Sequence, residues 1–344
     1  MTLKAAVIGC GRIGCGFDDD PRRGYVSTHA GAYAKNPNVN LVALVDIDAE
    51  RLNRYKDKFG VPNAYTDHRE MLRQESPDLV SICTLSGTHL EITRNAVDGG
   101  VKAIFCEKPI ADSVEAADEM IRICRDRGVI LLIDHQRRFD PFHQRVRSFL
   151  QQGRLGRIQQ VTAYYTAGIA NTGTHLIDML RFLLGDVASV LGMYSVNTSP
   201  NPEDRNLDGW LTFQSGVRAT LQACDVRSYL IFEITILGTS GRMRITSSGF
   251  GIEYEAAVES PRFAGYNELI KSDSPVALEA QREDMLRAVE HLVKCVNGED
   301  RPISSGIDGR GALEVIVGLH QSASQNGLPV CLPLAASEIS LLSR

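Results

Sequence analysis

A glycine-rich turn directly after a short apolar run restricts the fold of this chain more than any other feature. Ala5–Ile8 is apolar, and the pattern G-x-G-x-x-G follows at once in Gly9–Gly14. Such a run predicts a strand that is buried on both faces of a parallel sheet. Gly9 would allow the tight turn, Gly11 the close approach of a pyrophosphate, and Gly14 the packing of helix against strand. The pattern therefore predicts a dinucleotide site with a helix N-terminus facing the phosphates.

An acidic residue closes the next predicted strand. Leu41–Val45 is again apolar, and Asp46 follows it. A carboxylate at this position accepts hydrogen bonds from the adenine-ribose hydroxyls and would repel a 2′-phosphate. Because Ile47, and not an arginine or serine, comes next, NAD is expected rather than NADP.

A polar insertion, Phe17–Tyr25, makes the spacing from Gly14 to Asp46 longer than usual. Two interpretations are open. The segment is either a solvated loop or a flap over the cofactor or a partner subunit. We favour the solvated loop.

Apolar strands and helical stretches alternate through the rest of the first half, with predicted strands at Leu79–Cys83, Ala103–Cys106 and Val129–Ile133. This alternation predicts a doubly wound parallel sheet. Thr84 and Leu85 would lie against the cofactor where the first of these strands ends. His89 begins the helix that follows, either near the cofactor or as a helix-terminus residue without a function.

The tripeptide Glu107-Lys108-Pro109 follows the strand Ala103–Cys106. Proline fixes its own φ and lacks an N–H group, and it forces the preceding residue into an extended conformation. A lysine held in this way at the carboxyl end of a buried strand faces the crevice where such sheets bind ligands. Taken alone, Lys108 could be an ordinary surface residue, but the glycine turn in the same chain favours a catalytic lysine.

The second half of the chain has a different pattern. From Ile158 onward, predicted strands with one apolar face follow one another, which predicts an antiparallel sheet with one open face. Such a face could bury against another subunit. We therefore expect an α/β dinucleotide-binding domain at residues 1–134 and an α+β domain at residues 135–344, for substrate binding and oligomerisation.

A polar face is predicted on an otherwise apolar helix in this second half. His175 and Asp178 are three residues apart, and Asn171 lies four residues before His175. Residues at these spacings share one side of a helix. His175 could be a core histidine paired with Asp178, but the nucleotide-binding pattern and Lys108 favour a catalytic residue.

Composition excludes several classes of protein. The chain has 344 residues, 43% of them hydrophobic, and a net charge of −5 without a dense basic block, which argues against a nucleic-acid surface. The eight cysteines are scattered and lack zinc-type partners, so no metal site is predicted. We expect no secretory signal and no membrane span, and hence a soluble cytoplasmic protein.

These motifs resemble those of the Gfo/Idh/MocA oxidoreductase family. The similarity extends over nearly the whole chain. The matching segments are Gly9–Gly14, Asp46, Glu107-Lys108-Pro109, Arg137–Pro141, the helix with His175 and Asp178, and the tail from Gly311 to Leu334.

The resemblance implies a Rossmann domain, NAD as the cofactor, and hydride transfer at a secondary alcohol of a sugar, cyclitol or nucleotide sugar. Lys108 would hydrogen-bond the reacting hydroxyl, and His175 would act as general base. Asn171 replaces the aspartate found in many relatives. Substrate contacts are expected from Asn171, Asp178 and Arg138. The expected cofactor contacts are Gly9, Gly11, Arg12, Ile13, Gly14, Asp46, Ile47, Thr84, Leu85, His89, Glu107 and Lys108.

Two alternative functions remain open at this point. One is a glycosidase that uses tightly held NAD for transient oxidation without net redox change. The other is a sugar sensor that keeps the fold and has lost the chemistry. The resemblance also implies a homodimer or homotetramer assembled through the sheet of the second domain, and no nucleic-acid or membrane partner.

Overall fold

The computed structural model of the protein describes residues 2–334, 337 and 339–341. The chain divides into two units. One comprises residues up to Asp140 together with Gln281–Arg310, and the other comprises Pro141–Ala280 and Gly311–Ser343. The division expected from the sequence, at residue 134, did not include the return of segment 281–310 to the first unit.

Short apolar strands build most of the first sheet, and all but the third are largely buried. The strands are β1 (Leu3–Ile8), β2 (Val39–Val45), β3 (Asn63–Tyr65), β4 (Leu79–Ile82), β5 (Ala103–Cys106) and β6 (Ile130–Ile133). Their spatial order is β3-β2-β1-β4-β5-β6, and all pairs are parallel. This is the order of two mononucleotide-binding halves, so the predicted Rossmann fold is confirmed. β3 was not predicted, since its three residues are only half-buried and carry no apolar run.

Several of the helices begin where a side chain accepts from a free backbone N–H group. The helices are α1 (His29–Lys35), α2 (Ala49–Phe59), α3 (His68–Glu75), α4 (His89–Asp98), α5 (Val114–Asp126), α6 (Pro141–Gln151), α7 (Thr174–Leu184), α8 (Asp284–Val296) and α9 (Gly306–Ser324). Thr28, Asp48 and Ser113 cap α1, α2 and α5 with their side-chain oxygens. Each such cap contributes about 1 kcal/mol.

The returning helix α8 completes the core of the first unit. Met285, Val289 and Leu292 are buried in the same cluster as residues of β1, α1 and β5. α8 packs against α1 and against β5 and β6. The hydrophobic core of the first unit is therefore assembled from two separate parts of the chain.

Alternating side chains build the second sheet. Its strands are β7 (Ile158–Thr166), β8 (Val187–Tyr194), β9 (Leu207–Phe213), β10 (Arg218–Cys224), β11 (Glu233–Gly238), β12 (Gly241–Thr246), β13 (Gly251–Glu259), β14 (Asn267–Ser272) and β15 (Val330–Cys331). Their order is β14-β13-β12-β11-β7-β10-β9-β8-β15, and only the central pair β7–β10 is parallel. The predicted, mainly antiparallel sheet is confirmed.

Two strands at one end of this sheet, β14 and the neighbouring β13, lack the alternating burial of the others. β13 and β14 have mostly half-buried or exposed residues, so neither shows a buried residue at every second position. The sheet also leaves large apolar side chains in solvent, among them Trp210 at 56% exposure. Oligomerisation through this sheet stays a prediction. Within the described residues, no helix has the length and apolar composition needed to cross a bilayer.

Candidate active site

The glycine turn at the carboxyl end of β1 has the shape that a bound pyrophosphate requires. A Cβ on Gly9 would lie 2.6 Å from the Cys83 carbonyl oxygen, and one on Gly14 would lie 1.9 Å from the Gly9 carbonyl oxygen. A Cβ on Gly11, in contrast, would meet no heavy atom within 4 Å. Two glycines are therefore needed for packing, and the third leaves open space above the turn, as close approach of a phosphate requires.

Among the described residues, no carbonyl or side chain accepts from the backbone N–H groups of Arg12 and Ile13. These donors lie in the turn that leads into a helical segment, where backbone N–H groups commonly bind phosphate. The residues present thus fit a dinucleotide.

Asp46 lies at the carboxyl end of β2 and is 7% exposed. Its Oδ2 accepts from Cys10 N at 2.7 Å, and its Oδ1 accepts from Asp48 N at 2.9 Å. Arg51, one turn into α2, places a guanidinium nitrogen 3.5 Å from Oδ2. The sequence interpretation considered only the residue directly after Asp46 and missed this cation. The neighbouring Ile47 is 92% exposed, so its apolar side chain is open to a ligand.

The end of β4 presents a small polar and a large apolar side chain. The hydroxyls of Thr84 and Thr88 are 2.7 Å apart, and Leu85 is 57% exposed. Like Ile47, Leu85 is a large apolar side chain left in solvent where this class of sheet binds nucleotides.

His89 is buried, and both of its ring nitrogens face backbone carbonyl oxygens. Nδ1 lies 3.0 Å from the Ile110 oxygen, and Nε2 lies 3.1 Å from the Thr84 oxygen. The ring therefore ties the end of β4 to the segment after β5. Since neither nitrogen is directed to open space, the structure does not support the predicted direct contact of His89 with the cofactor.

Lys108 follows β5 and is half-buried. Its backbone N–H donates to Glu107 Oε2 at 3.2 Å, and the peptide bond to Pro109 is cis. The carboxyl ends of parallel strands share one edge of a sheet, so Lys108 lies along the same edge as the glycine turn, Asp46 and Thr84.

A buried network of ionisable groups supports this lysine. Glu107 Oε1 lies 3.1 Å from Nε2 of His29, and Asp134 Oδ2 lies 3.6 Å from the same nitrogen. His29 Nδ1 is 2.9 Å from the Ser81 hydroxyl, which itself donates to Tyr33. Nε2 faces the carboxylates of Glu107 and Asp134, and these negative charges stabilise the doubly protonated ring. His29 is therefore an imidazolium.

The pKa values in the network follow from these contacts. Burial alone would lower the pKa of His29, but Cys83 and the carboxylates of Asp134 and Glu107 raise it well above its ordinary value. Burial would raise the pKa of Glu107, but the hydrogen bond from His29 lowers it. Burial and the charge of Glu107 raise the pKa of Asp134 to about 7. The network thus holds Glu107 ionised beside the Lys108 peptide.

The same three side chains have donor atoms close enough together to bind a metal ion, a grouping that the sequence did not predict. The hydrogen bond between His29 and Glu107 accounts for this grouping without a cation, because it pairs opposite charges in the interior.

Arg138 was predicted to contact substrate, but the structure gives it a structural part. The side chain is 5% exposed and forms an ion pair with Asp308 at 2.8 Å. It also donates to the Ile303 carbonyl oxygen at 2.9 Å. These contacts fasten the returning segment within the first unit, and they leave the predicted substrate contact without support.

In the second unit, a turn of π-helix, Ile169–Gly173, precedes α7 and carries Asn171. Asn171 is exposed, His175 is half-buried and Asp178 is only 1% exposed. The spacing argument assumed a regular helix from Asn171 to Asp178. The wider π-helical turn changes the angle about the helix axis between Asn171 and the pair His175 and Asp178. His175 in the first turn of α7 is still accessible.

Two side chains that the sequence interpretation missed hold this π-turn. Asp204 Oδ1 accepts from Ala170 N at 2.8 Å, and Oδ2 accepts from Asn171 N at 2.9 Å. Asn206 Oδ1 accepts from Gly168 N at 2.9 Å. Gly168 has φ +95° and a Cβ there would lie 2.1 Å from Asp204 Oδ2, so only glycine fits. The approach to His175 is fixed by a buried carboxylate from another segment.

Comparison with known proteins agrees with this fold. The family described as "Oxidoreductase family, NAD-binding Rossmann fold" matches residues 3–135. Its companion, "Oxidoreductase family, C-terminal alpha/beta domain", matches residues 168–332. Together the two matches span both units.

Similar proteins are dehydrogenases. D-apiose dehydrogenase of Paraburkholderia graminis is 28% identical over 338 residues, covering 91% of this chain and 87% of that protein. Myo-inositol 2-dehydrogenase of Thermotoga maritima is 25% identical over 336 residues, covering 90% and 93%. The WlbA dehydrogenase from Bordetella pertussis, solved with NADH and UDP-GlcNAcA, superposes with a TM-score of 0.78 at 23% identity, covering 97% of this chain and 100% of that one. With both of its domains matched, this chain belongs to the Gfo/Idh/MocA family of NAD-binding oxidoreductases and is a dehydrogenase of that family.

Proposed function

We propose that this protein is an NAD-dependent dehydrogenase that transfers hydride between a CH–OH carbon of a sugar, cyclitol or nucleotide sugar and the nicotinamide. The observation that carries the proposal is the fixed position of Lys108 on the sheet edge that also bears the open glycine turn and Asp46. The cofactor, when bound, supplies the hydride acceptor or donor.

The proton chemistry belongs to side chains of the chain itself. The Lys108 ammonium would donate a hydrogen bond to the reacting hydroxyl oxygen and stabilise the negative charge that develops there. His175 would accept the hydroxyl proton, since an imidazole with a pKa near neutrality is suited to a general base. Glu107 would hold the Lys108 peptide in place through its hydrogen bond to the backbone.

Relatives support the substrate class without naming the substrate. The D-apiose and myo-inositol dehydrogenases act, by their names, on a sugar and a cyclitol. Exposed Asn171 offers an amide that can both donate and accept hydrogen bonds with a polyol. Buried Asp46 supports NAD as the preferred cofactor, because its carboxylate opposes a 2′-phosphate.

The experiment follows absorbance at the reduced-nicotinamide band while the protein and NAD are screened against sugars, inositols and UDP-linked sugars. Lys108→Met and His175→Gln should each lower turnover by roughly 10²–10⁴-fold with the identified substrate. Lys102→Met is the matched control, because Lys102 is an exposed lysine paired with Asp78 on the same unit.

Turnover by the Lys108→Met variant equal to that of the Lys102→Met control would refute the mechanism. NADH binding, measured by calorimetry without substrate, should stay within about threefold of the parent in both variants. Tight NADH binding with no absorbance change across the whole panel would instead favour the redox-neutral glycosidase or the sensor.

A further inference from the structure

The inserted segment between the glycine turn and α1 is folded against the first unit, contrary to the solvated loop favoured from the sequence. Asp18 accepts from Ser27 N at 2.7 Å and from the Thr28 hydroxyl at 2.5 Å. Asp19 accepts from the Tyr55 hydroxyl at 2.8 Å and pairs with Lys58 at 2.5 Å. The segment is therefore anchored at both α1 and α2.

An aromatic ring in this segment gathers two arginines next to the turn. The Phe17 backbone N–H donates to the Arg12 carbonyl at 2.6 Å, which places the ring beside the glycine pattern. The guanidinium of Arg12 lies 4.7 Å from the ring centroid, and that of Arg23 lies 3.8 Å from it. Each contact on a partly exposed ring is worth only about 0.5–1 kcal/mol. The two guanidinium groups beside this ring repel each other, and a bound anion would offset that repulsion.

Among the described residues, only Asp20 lies within ion-pair distance of either arginine. In the described part of the chain, no carboxylate lies within ion-pair distance of Arg12. Asp20 Oδ2 lies 3.8 Å from Arg23 Nε, which is too far for a hydrogen bond, and this buried Nε has no acceptor among the residues that the structure describes. Asp19 is already matched by Lys58 and Arg54.

The two arginines line one cleft together with the glycine turn. The cleft has a volume of about 580 Å³, and its lining includes Gly11, the guanidinium groups of Arg12, Arg23 and Arg51, and the carboxylates of Asp19 and Asp20. Gly11 is the glycine with open space where its Cβ would be. A phosphate that approaches Gly11 therefore enters the cleft into which Arg23 faces.

We propose that Arg23, held against Phe17 by the inserted segment Phe17–Tyr25, binds the pyrophosphate of the dinucleotide as a second cationic ligand beside Arg12. This assignment rests on the proposed function only because it requires a bound dinucleotide. It concerns the binding of that cofactor and not the reaction. Guanidinium is suited to the role, because its planar donors match two phosphate oxygens at once. Asp46 stands on the ribose side and opposes a 2′-phosphate there, so the pyrophosphate is the phosphate group that we assign.

The test compares two adjacent arginines by calorimetric titration with NADH, without substrate. Arg23→Gln should raise the Kd for NADH by roughly tenfold, the usual effect of one lost charge-assisted contact. Arg22→Gln, which removes the same charge from an exposed neighbour, should leave the Kd within about twofold. Arg23→Gln should also weaken the dependence of the Kd on ionic strength.

Shorter ligands separate the possible phosphates. ADP-ribose, which carries the pyrophosphate, should lose the same tenfold as NADH in Arg23→Gln, whereas 2′,5′-ADP should not. A loss confined to 2′,5′-ADP, or equal Kd values for Arg23→Gln and Arg22→Gln, would overturn the assignment.

Arg23→Lys keeps the charge and guards against a folding defect in the glutamine variant. It should retain most of the NADH affinity at low ionic strength, and a tenfold loss in this variant would also count against the proposal. An unmutated protein that binds no NADH would instead refute the proposed function.

Discussion

The segments next to Lys108 and His175 are both held in position by buried carboxylates, but through different contacts. Glu107 beside Lys108 is held by a buried imidazolium, with Asp134 as a second carboxylate close by. The π-turn before His175 is held in place because its backbone N–H groups donate to Asp204 and Asn206. The first region depends on charges that balance one another, and the second on one carboxylate that satisfies free peptide groups. We therefore expect the two regions to respond differently to loss of a carboxylate and to pH.

The largest effect is expected from Glu107→Ala. This change leaves the His29 imidazolium in the interior without its nearest counter-ion, and breaking a buried ion pair typically costs about 3–5 kcal/mol. Chemical denaturation should show this loss in the free energy of unfolding. Glu115→Ala, an acid near the surface in the first turn of α5, is the control. A loss below about 1 kcal/mol would mean that the network is not maintained by charge.

Asp204→Ala should have the next largest effect, about 2–3 kcal/mol. Two backbone N–H groups at the π-turn lose their acceptor, and each hydrogen bond to a charged group contributes about 1.5–3 kcal/mol, partly replaced by water. Asp204→Asn keeps one acceptor oxygen and should lose about half as much. If Asp204→Ala destabilised the protein more than Glu107→Ala did, the contrast between the two regions would be reversed.

Asp46→Ala should change cofactor choice by about tenfold, or roughly 1.4 kcal/mol. Asp46, like Asp204, accepts from two backbone N–H groups, but it also opposes a 2′-phosphate. Its removal frees Arg51 to meet that phosphate. The ratio of the Kd values for NAD and NADP is the measurement. An unchanged ratio would give Asp46 the purely structural part that we assign to Asp204.

The smallest effect is a pH dependence of the unfolding free energy, which we expect only from the region around Lys108. Burial and Glu107 raise the pKa of Asp134 to about 7. The folded protein therefore binds more protons than the unfolded chain between the ordinary aspartate pKa and about 7, so stability falls as pH rises through this window. Asp134→Asn should remove roughly 1 kcal/mol of the difference in unfolding free energy between pH 6 and pH 7. The same pH comparison in Asp204→Asn should match the parent protein.

The first region could be predicted well from the sequence because its signals are local. The glycine turn, Asp46 and Lys108 each follow directly on an apolar strand, and the order of strands then brings them to one edge. The His29 network could not be predicted, since its members come from α1, β4 and the ends of β5 and β6. Only the folded sheet brings these elements together.

The second region was harder to predict because its geometry depends on partners distant in sequence. Asp204 lies 33 residues after Asn171, in a polar segment with no periodicity. The π-turn also has no sequence signature, so equal spacing along a regular helix was assumed. In the same way, Arg51 was missed because it reaches Asp46 from the following helix and not from the next position.

The return of α8 to the nucleotide-binding unit has a consequence for dissecting the protein. A fragment ending at residue 134 would lack Met285, Val289 and Leu292, and would expose to water the apolar surface of α1 and β5 that they cover. Such a surface promotes self-association. A soluble fragment that binds the dinucleotide would therefore need the segment 281–310 joined to residue 134 through a linker that replaces the intervening residues.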